Sequence, residues 1–220
     1  MTNSYTIDKR NKVRQLREYA VYDKDVLHAV LDAGLVAAVG FVQDDAPLVV
    51  PMIYGQEDET IFLHGARKAR IIRLLEQTEQ ACVNVTLLDG VVFARSAFNS
   101  SMNYRSATVF GTASLVEADA DKLHAMRVIS EHTMPGRWDE LREPLQREVK
   151  MTGVIALRID SASAKVAASM PDDEDDDYAI PIWAGVLPIE STLTELQTDD
   201  RVLEGVEPSA IVRALQGKTL

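Results

Sequence analysis

One cysteine, few aromatics (6%) and no apolar run near the roughly 20 residues of a membrane span mark what this 220-residue chain lacks. Cys82 has no internal partner for a disulfide. Within ACVNV at 81–85 it reads as a buried thiol of a cytoplasmic protein. The opening MTNSYTIDKRNKVRQLREY has no apolar centre, so it does not read as a secretory signal. No P-loop, GxGxxG, GxSxG or HExxH motif occurs. His28, His64, His124 and His132 show no metal-ligand spacing, and no metal is expected. Positive charge is in deficit, with 23 Lys and Arg against 34 Asp and Glu and a net charge of −11. That balance argues against a nucleic-acid partner held through phosphates. Much of the acid lies in PDDEDDDY at 171–178, which reads as a solvated loop without the spacing of a calcium loop.

What is present is a series of strand-like runs. LVAAVGFV (35–42), PLVVPMIY (47–54), IFLH (61–64), ACVNVTLL (81–88), VVFARSAF (91–98) and YRSATVFGTASLVE (104–117) are separated by turn residues. GVIALRID (153–160) and AKVAAS (164–169) read as two final strands. Asp89-Gly90 between two β-rich runs predicts a tight hairpin. Asp23 is placed to cap a helix with apolar positions Val26, Leu27, Val30 and Leu31, ended by Gly34. Asp119 opens a second helix that Pro135-Gly136 stops, with His124 and His132 expected on its surface. RWDELREPLQREV should break at Pro144. Short strands with few helices and no βαβ alternation argue for an antiparallel sheet or small barrel, mainly β. Residues 1–20 read as an arm, 21–170 as the barrel, and 171–220 as an acidic loop and C-terminal extension packed on it.

The most informative stretch is HGARKARIIR at 64–73. A helical pattern starts just after His64-Gly65, so Arg67, Lys68, Arg70 and Arg73 crowd the first turns of a helix over 67–76. That end already carries partial positive charge and unpaired N–H groups. A phosphate there would balance both; the plainer reading is a solvated basic surface. The cations of the chain also gather at 9–17, 95–105 and 137–150. A basic site in an acidic protein suits a small anionic ligand better than a polyanion. Pro51 cannot donate to a ladder, so its strand is expected at an edge or bulged, with backbone groups free for a ligand. Asn103, Arg105, Ala107, Val109 and Gly111 share a face under strand alternation. Their small members leave room for a flat ring or a neighbouring backbone. His64, at the strand end beside the basic segment, is a candidate for proton transfer. Trp183 could cover a ligand or simply pack the tail.

Several of these stretches together resemble one family. They are YD at 22–23, VGFV at 39–42, PMIY at 51–54, FLHGARKAR at 62–70, ACVNVTLLDGVVFARSAFNSSMNYRS at 81–106, VFG at 109–111 and IWAGVLPI at 182–189. The chain resembles the pyridoxamine 5′-phosphate oxidase-like FMN-binding split-barrel proteins, nearest the branch with nitroimidazole-resistance-type proteins. The resemblance implies a six-stranded antiparallel Greek-key split barrel with peripheral helices, and a homodimer with FMN at its interface. It implies flavin-ring contacts from the backbone of Pro51, Met52, Ile53 and Tyr54. It implies phosphate contacts around His64, Gly65, Lys68, Ala69 and Arg70. Asn103 and Arg105 would add to the site from an adjacent strand or the partner; if a flavin is bound, Trp183 is the residue of the tail that could cover its ring or phosphate edge. Ala69 stands where that branch often has Ser, which removes one hydroxyl donor. The implied function is an FMN-dependent oxidoreductase acting on a small molecule. The alternatives are a flavin-binding carrier or sensor, or a haem-handling split barrel, for which no axial ligand is evident in the sequence.

Overall fold

The computed structural model describes residues 3–78 and 80–220. Asp23 starts the first long element. Its carboxylate accepts from the N–H groups of Asp25 and Val26 and so caps α1 (Lys24–Ala33). Leu27, Val30 and Leu31 form the buried stripe of α1, and Val26 is exposed. Gly34 follows with φ −87°, which is not left-handed. A Cβ there would stand 2.3 Å from Val85 Cγ1, so this glycine serves close approach of the helix end to the barrel.

The strands are β1 (Ala20–Val21), β2 (Val36–Gln43), β3 (Ala46–Glu57), β4 (Thr60–Ala66), β5 (Gln80–Phe93), β6 (Ser101–Leu115), β7 (Thr152–Ala167) and β8 (Gly185–Pro188). The remaining helices are α2 (Arg70–Thr78), α3 (Asp119–Thr133), α4 (Gln146–Met151) and α5 (Ala210–Leu215). β7, β4, β3, β2, β5 and β6 pair in that order, all antiparallel, and β6 pairs back onto β7. Six strands thus close into the split barrel, with β1 added to β7 and β8 to β5. The β2–β3 hairpin turns at Asp44-Asp45, both at positive φ (49° and 61°), as a two-residue turn matched to strand twist requires.

Inward-facing Ala37, Val39, Tyr54, Ile61, Leu63, Val83, Val85, Ala107, Val109, Ile155 and Leu157 fill the barrel. Leu27 and Leu31 of α1, with Ile72 and Leu75 of α2, join the same core. Burying each of these large aliphatic side chains contributes on the order of 1.5–3 kcal/mol. The segment ahead of β1 lies against the barrel. The Tyr5 hydroxyl donates to Glu59 at 2.6 Å, and Lys24 meets the same carboxylate at 2.8 Å.

Several local expectations are corrected. Asp89-Gly90 is not a hairpin: β5 runs through it with a bulge between Leu88 and Gly90. Asp89 is held by Arg105 across the ladder, and a Cβ on Gly90 would meet Val186 at 2.9 Å, so the pair admits β8 instead of turning the chain. The expected strands at 153–160 and 164–169 are one continuous β7. β6 pairs along almost its whole length, which carries the chain through Ser161 and Ser163. α2 begins at Arg70, leaving Arg67 and Lys68 in the preceding turn. His132 is not a free surface residue. Its Nε2 lies 2.7 Å from the Gly34 carbonyl, and its ring centroid lies 4.6 Å from that of Tyr54. Asp173 of the acidic run is buried on Arg95, which bonds it through both backbone N–H (2.8 Å) and guanidinium (2.9 Å).

α3 lies across the outside of β3, over Gly55, where a Cβ would come 2.7 Å from the Ile129 backbone nitrogen. A Cβ on Gly40 would meet nothing closer than 3.6 Å. Gly55→Ala is therefore expected to destabilise the fold by about 1–3 kcal/mol through overpacking. Gly40→Ala should change stability far less. Urea unfolding of the two variants beside the parent checks the contrast.

Candidate functional site

Among the described residues the ladder leaves a long stretch of the β3 edge open. β3 pairs with β4 only at Tyr54–Glu57, while its residues 46–53 pair with β2 alone. Pro47 and Pro51 sit opposite Val42 and Ala38. A proline fits a ladder where its missing N–H faces away from the partner strand. Both prolines have the same parity, so that side is the open one. By the same alternation, the N–H and C=O groups of Val49 and Ile53 face the opening without a strand partner. The side chains of Val49 and Ile53 are exposed on the outer face. Met52 points the other way and packs on the core. Tyr54 is fully buried, and its hydroxyl donates to the Leu31 carbonyl, so only its backbone could reach a ligand.

The basic segment borders the same opening. β4 pairs with β7 through Gly65↔Gly153 and Ala66↔Thr152, and a turn over Ala66–Ala69 then leads into α2. The turn rests on Gly153, where a Cβ would stand 2.7 Å from Ile72 and 3.1 Å from Arg67. The Arg70 guanidinium donates to Gln43 Oε1 at the end of β2, with Nε at 2.9 Å, and ties the start of α2 to the β2–β3 hairpin. Arg67 is drawn to Glu76 at 3.2 Å. Lys68 is exposed and has no ion pair among the described residues. Ala69, directly before α2, has no side-chain oxygen to cap the helix. The N–H groups of the first turn are thus left for another acceptor.

His64 points outward from β4, since Ile61 and Leu63 point into the core. Its Nδ1 is buried without a hydrogen-bond partner. Burial pushes its pKa below the ordinary 6.5, so the ring is neutral near pH 7. The other three histidines have Nε2 engaged: His28 with Tyr5 at 3.2 Å, His124 with Glu57 at 2.6 Å and His132 with Gly34.

The remaining candidates stand elsewhere. β6 is three strands from β3 in either direction round the ring. There Arg105 grips Asp89 through three contacts of 2.8–3.2 Å, and this hydrogen-bonded pairing raises its pKa. Asn103 donates to the Ser169 carbonyl and accepts from the Ser169 N–H, both at 3.0 Å. Trp183 is 70% exposed beside β8, its ring centroid 5.9 Å from that of Phe93. Within one chain, the pairing of Tyr54 with Leu63 brings Pro51–Tyr54 beside His64, while Asn103 and Arg105 stand on β6 and Trp183 beside β8. Sequence reasoning missed Gln43, Glu76 and Gly153. Nothing local marks them, because each acts through a residue on another element or nine positions away.

The buried neutral imidazole has a measurable consequence. An unfolded chain takes up the His64 proton near pH 6.5, before the folded chain does. This site's contribution to stability is therefore lost as pH falls through and below that value. His64→Gln should lose less stability than the parent between pH 7.5 and 5.5, read from urea midpoints. Equal losses would show that His64 does not titrate this way.

The comparisons with known proteins agree with this architecture. The family model described as pyridoxamine 5′-phosphate oxidase matches residues 23–166. A flavocytochrome from Azotobacter vinelandii is 34% identical, covers 96% of this chain and 98% of its own, and superposes with a TM-score of 0.90. The FAD and haem binding protein from Mycobacterium smegmatis is 35% identical, with 90% and 98% covered and a TM-score of 0.87. A protein of Bacteroides thetaiotaomicron assigned to 5-nitroimidazole antibiotic resistance shares the fold at 23% identity, with 67% and 86% covered and a TM-score of 0.59. No curated protein matches the chain in sequence. With a model matched over most of its barrel and two relatives above 30% identity across nearly its full length, the chain belongs to the pyridoxamine 5′-phosphate oxidase family.

Proposed function

We propose that this protein binds a flavin nucleotide at the β3 opening and uses it as an oxidoreductase on a small molecule. The observation that carries this reading is the unpartnered edge of β3 set beside an uncapped, cation-bearing helix start. Flavin ring edges carry donors and acceptors that match free strand N–H and C=O groups. A phosphate matches the first-turn N–H groups of α2 with Lys68 and Arg70. The exposed Val49 and Ile53 offer apolar surface to a ring face. A bound flavin supplies the hydride or electron transfer; the protein binds it, orients it and keeps water from it. Neutral His64 can hold or pass a proton at the strand end. FMN is the nucleotide the resemblance implies. The name of the Mycobacterium relative favours FAD, and both present a phosphate to the same cations.

The cofactor released by heat, separated and weighed, decides between the two nucleotides. Arg70→Ala is expected to weaken FMN or FAD about tenfold to a hundredfold. Riboflavin, which lacks the phosphate, should lose almost nothing. Equal losses for all three would end the phosphate reading. Bleaching by a reduced nicotinamide cofactor, then reoxidation by an added acceptor, separates an oxidoreductase from a carrier or sensor.

A second cofactor, haem, is favoured by the names of the Azotobacter and Mycobacterium relatives. The residues present fit one iron ligand. His64 is the histidine with an unpaired buried ring nitrogen, and its lowered pKa keeps it in the neutral form that iron binds. His64→Ala separates its two roles. Loss of a Soret band with flavin retained assigns it to iron; an intact Soret band with slower flavin turnover assigns it to proton transfer.

The proposed assembly is a homodimer. Val36, Val42, Val49, Ile53 and Leu88 leave an exposed apolar outer face on β2, β3 and β5 that a second copy would cover. A partner is also what would bring Asn103, Arg105 or Trp183 to a flavin. Sedimentation of the flavin-loaded protein at 24.3 kDa would end this reading.

A further inference from the structure

The outer wall of β6 and β7 carries a second basic hollow of about 430 Å³, whose Arg10 and Phe110 also line a hollow with Pro47, Leu48 and Val49 of β3. Ser106 stands opposite Lys165 in the ladder and Thr108 opposite Ser163, so their side chains share the outer face. Tyr104 and Phe110 extend the same face along β6. The N-terminal segment roofs it. Asn11 is only 2% exposed, and its amide nitrogen donates to the carbonyls of Thr6 (2.9 Å) and Ala162 (3.1 Å). That anchor fixes Arg10 and Lys12 at the rim. The Arg10 guanidinium lies 5.8 Å from the Phe110 ring centroid, donates to Gln80 at 3.1 Å and pairs with Asp8 at 4.0 Å, whose carboxylate also accepts the Arg10 backbone N–H at 2.6 Å.

Arg10, Lys12 and Lys165 thus converge on one hollow, and among the described residues no carboxylate lines it. Asp8 pairs with Arg10 from outside the hollow, whereas Lys12 and Lys165 have no ion pair among the described residues. An anion in the hollow would give the two lysines the partner they lack. Hydroxyls of Ser163 and Tyr104 add donors for its oxygens. The rings of Phe110 and Tyr104 offer flat walls for a base.

We propose that this hollow binds the phosphate-bearing part of a nucleotide, with Arg10, Lys12 and Lys165 as the phosphate contacts. The same chemistry has two sources: a free nucleotide, or the nucleotide tail of a flavin carried by a second copy. The free-nucleotide source does not depend on the reading of the β3 opening, since a protein free of flavin can still be titrated; the second-copy source rests on that reading.

The test titrates the protein as isolated with ADP, and with pyrophosphate as the probe lacking a base, by calorimetry at two salt concentrations. Saturable binding is expected, weaker at higher salt. Lys165→Gln and Lys12→Gln should each weaken it by about tenfold. Thermal melting reports whether each variant folds, and Lys12→Gln on the exposed rim serves if Lys165→Gln does not. A free nucleotide as the source leaves flavin content at the parent level in both variants. A tail from a second copy blocks ADP in the flavin-loaded parent, and the variants then lose FAD while keeping FMN. Absence of ADP and pyrophosphate binding, together with parent-like FAD retention in both variants, overturns the proposal. Binding that both variants leave unchanged overturns it equally.

Discussion

The half-open ladder of β3 is the constraint on which the rest of the site depends. Ring closure through β6 and β7 satisfies most strand edges, and a satisfied edge cannot bind anything. β4 accompanies β3 over Tyr54–Glu57 and then stays with β7 through Ala66. The separation of β4 from β3 exposes the β3 edge and delivers the 66–69 turn beside it. Gly153 on β7 lets that turn sit close, and Gln43 at the end of β2 anchors its far side through Arg70. An opening in the barrel and a basic rim are thus two results of one topological choice.

Much of the fold was legible because local pattern and tertiary demand agree. The strand cores, the Asp23 cap, the helix opened by Asp119 and the break at Pro144 follow from periodicity, capping and proline chemistry that any neighbour would accept. The failures share a cause. Asp89-Gly90 carries turn chemistry, but long-range pairing with β6 and β8 overrides it and uses the small residue for close approach. Ser161 and Ser163 look like a strand end, but β6 pairs through them. His132 looks like a surface residue of a helix until the Gly34 carbonyl and the Tyr54 ring are brought beneath it. In each case the deciding partner lies tens of positions away.

The site was legible to a different degree. Pro51 marked the open edge because a missing donor is a backbone fact that needs no partner. The HGARKARIIR segment marked the helix start for a similar reason, although the helix opens three residues later than the spacing suggested. The later start changes the chemistry: Arg67 leaves the helix and turns to Glu76, while Ala69 takes the capping position without a capping atom. A residue that costs the turn a hydroxyl also leaves backbone donors open to a ligand. The family comparison alone would count the alanine only as a loss.

Charge counting is where sequence reading overreaches most, and the structure shows why. Arg67, Arg95 and Arg105 are each held by a carboxylate, and Arg70 by an amide. Arg95 and Arg105 serve the fold: one buries Asp173 and pins the acidic segment, the other fixes the β5 bulge that admits β8. Arginine suits such work because its planar fork engages a carboxylate at two points. Along these openings, lysines remain to meet solvent or ligand: Lys68 beside β3, Lys12 and Lys165 on the β6–β7 wall. A flexible ammonium forms weaker surface pairs and is displaced from them more readily. The division leaves lysines without a carboxylate partner, among the described residues, at the β3 opening and on the β6–β7 wall. At both, backbone N–H or hydroxyl groups stand beside the lysines, a donor set suited to an anion.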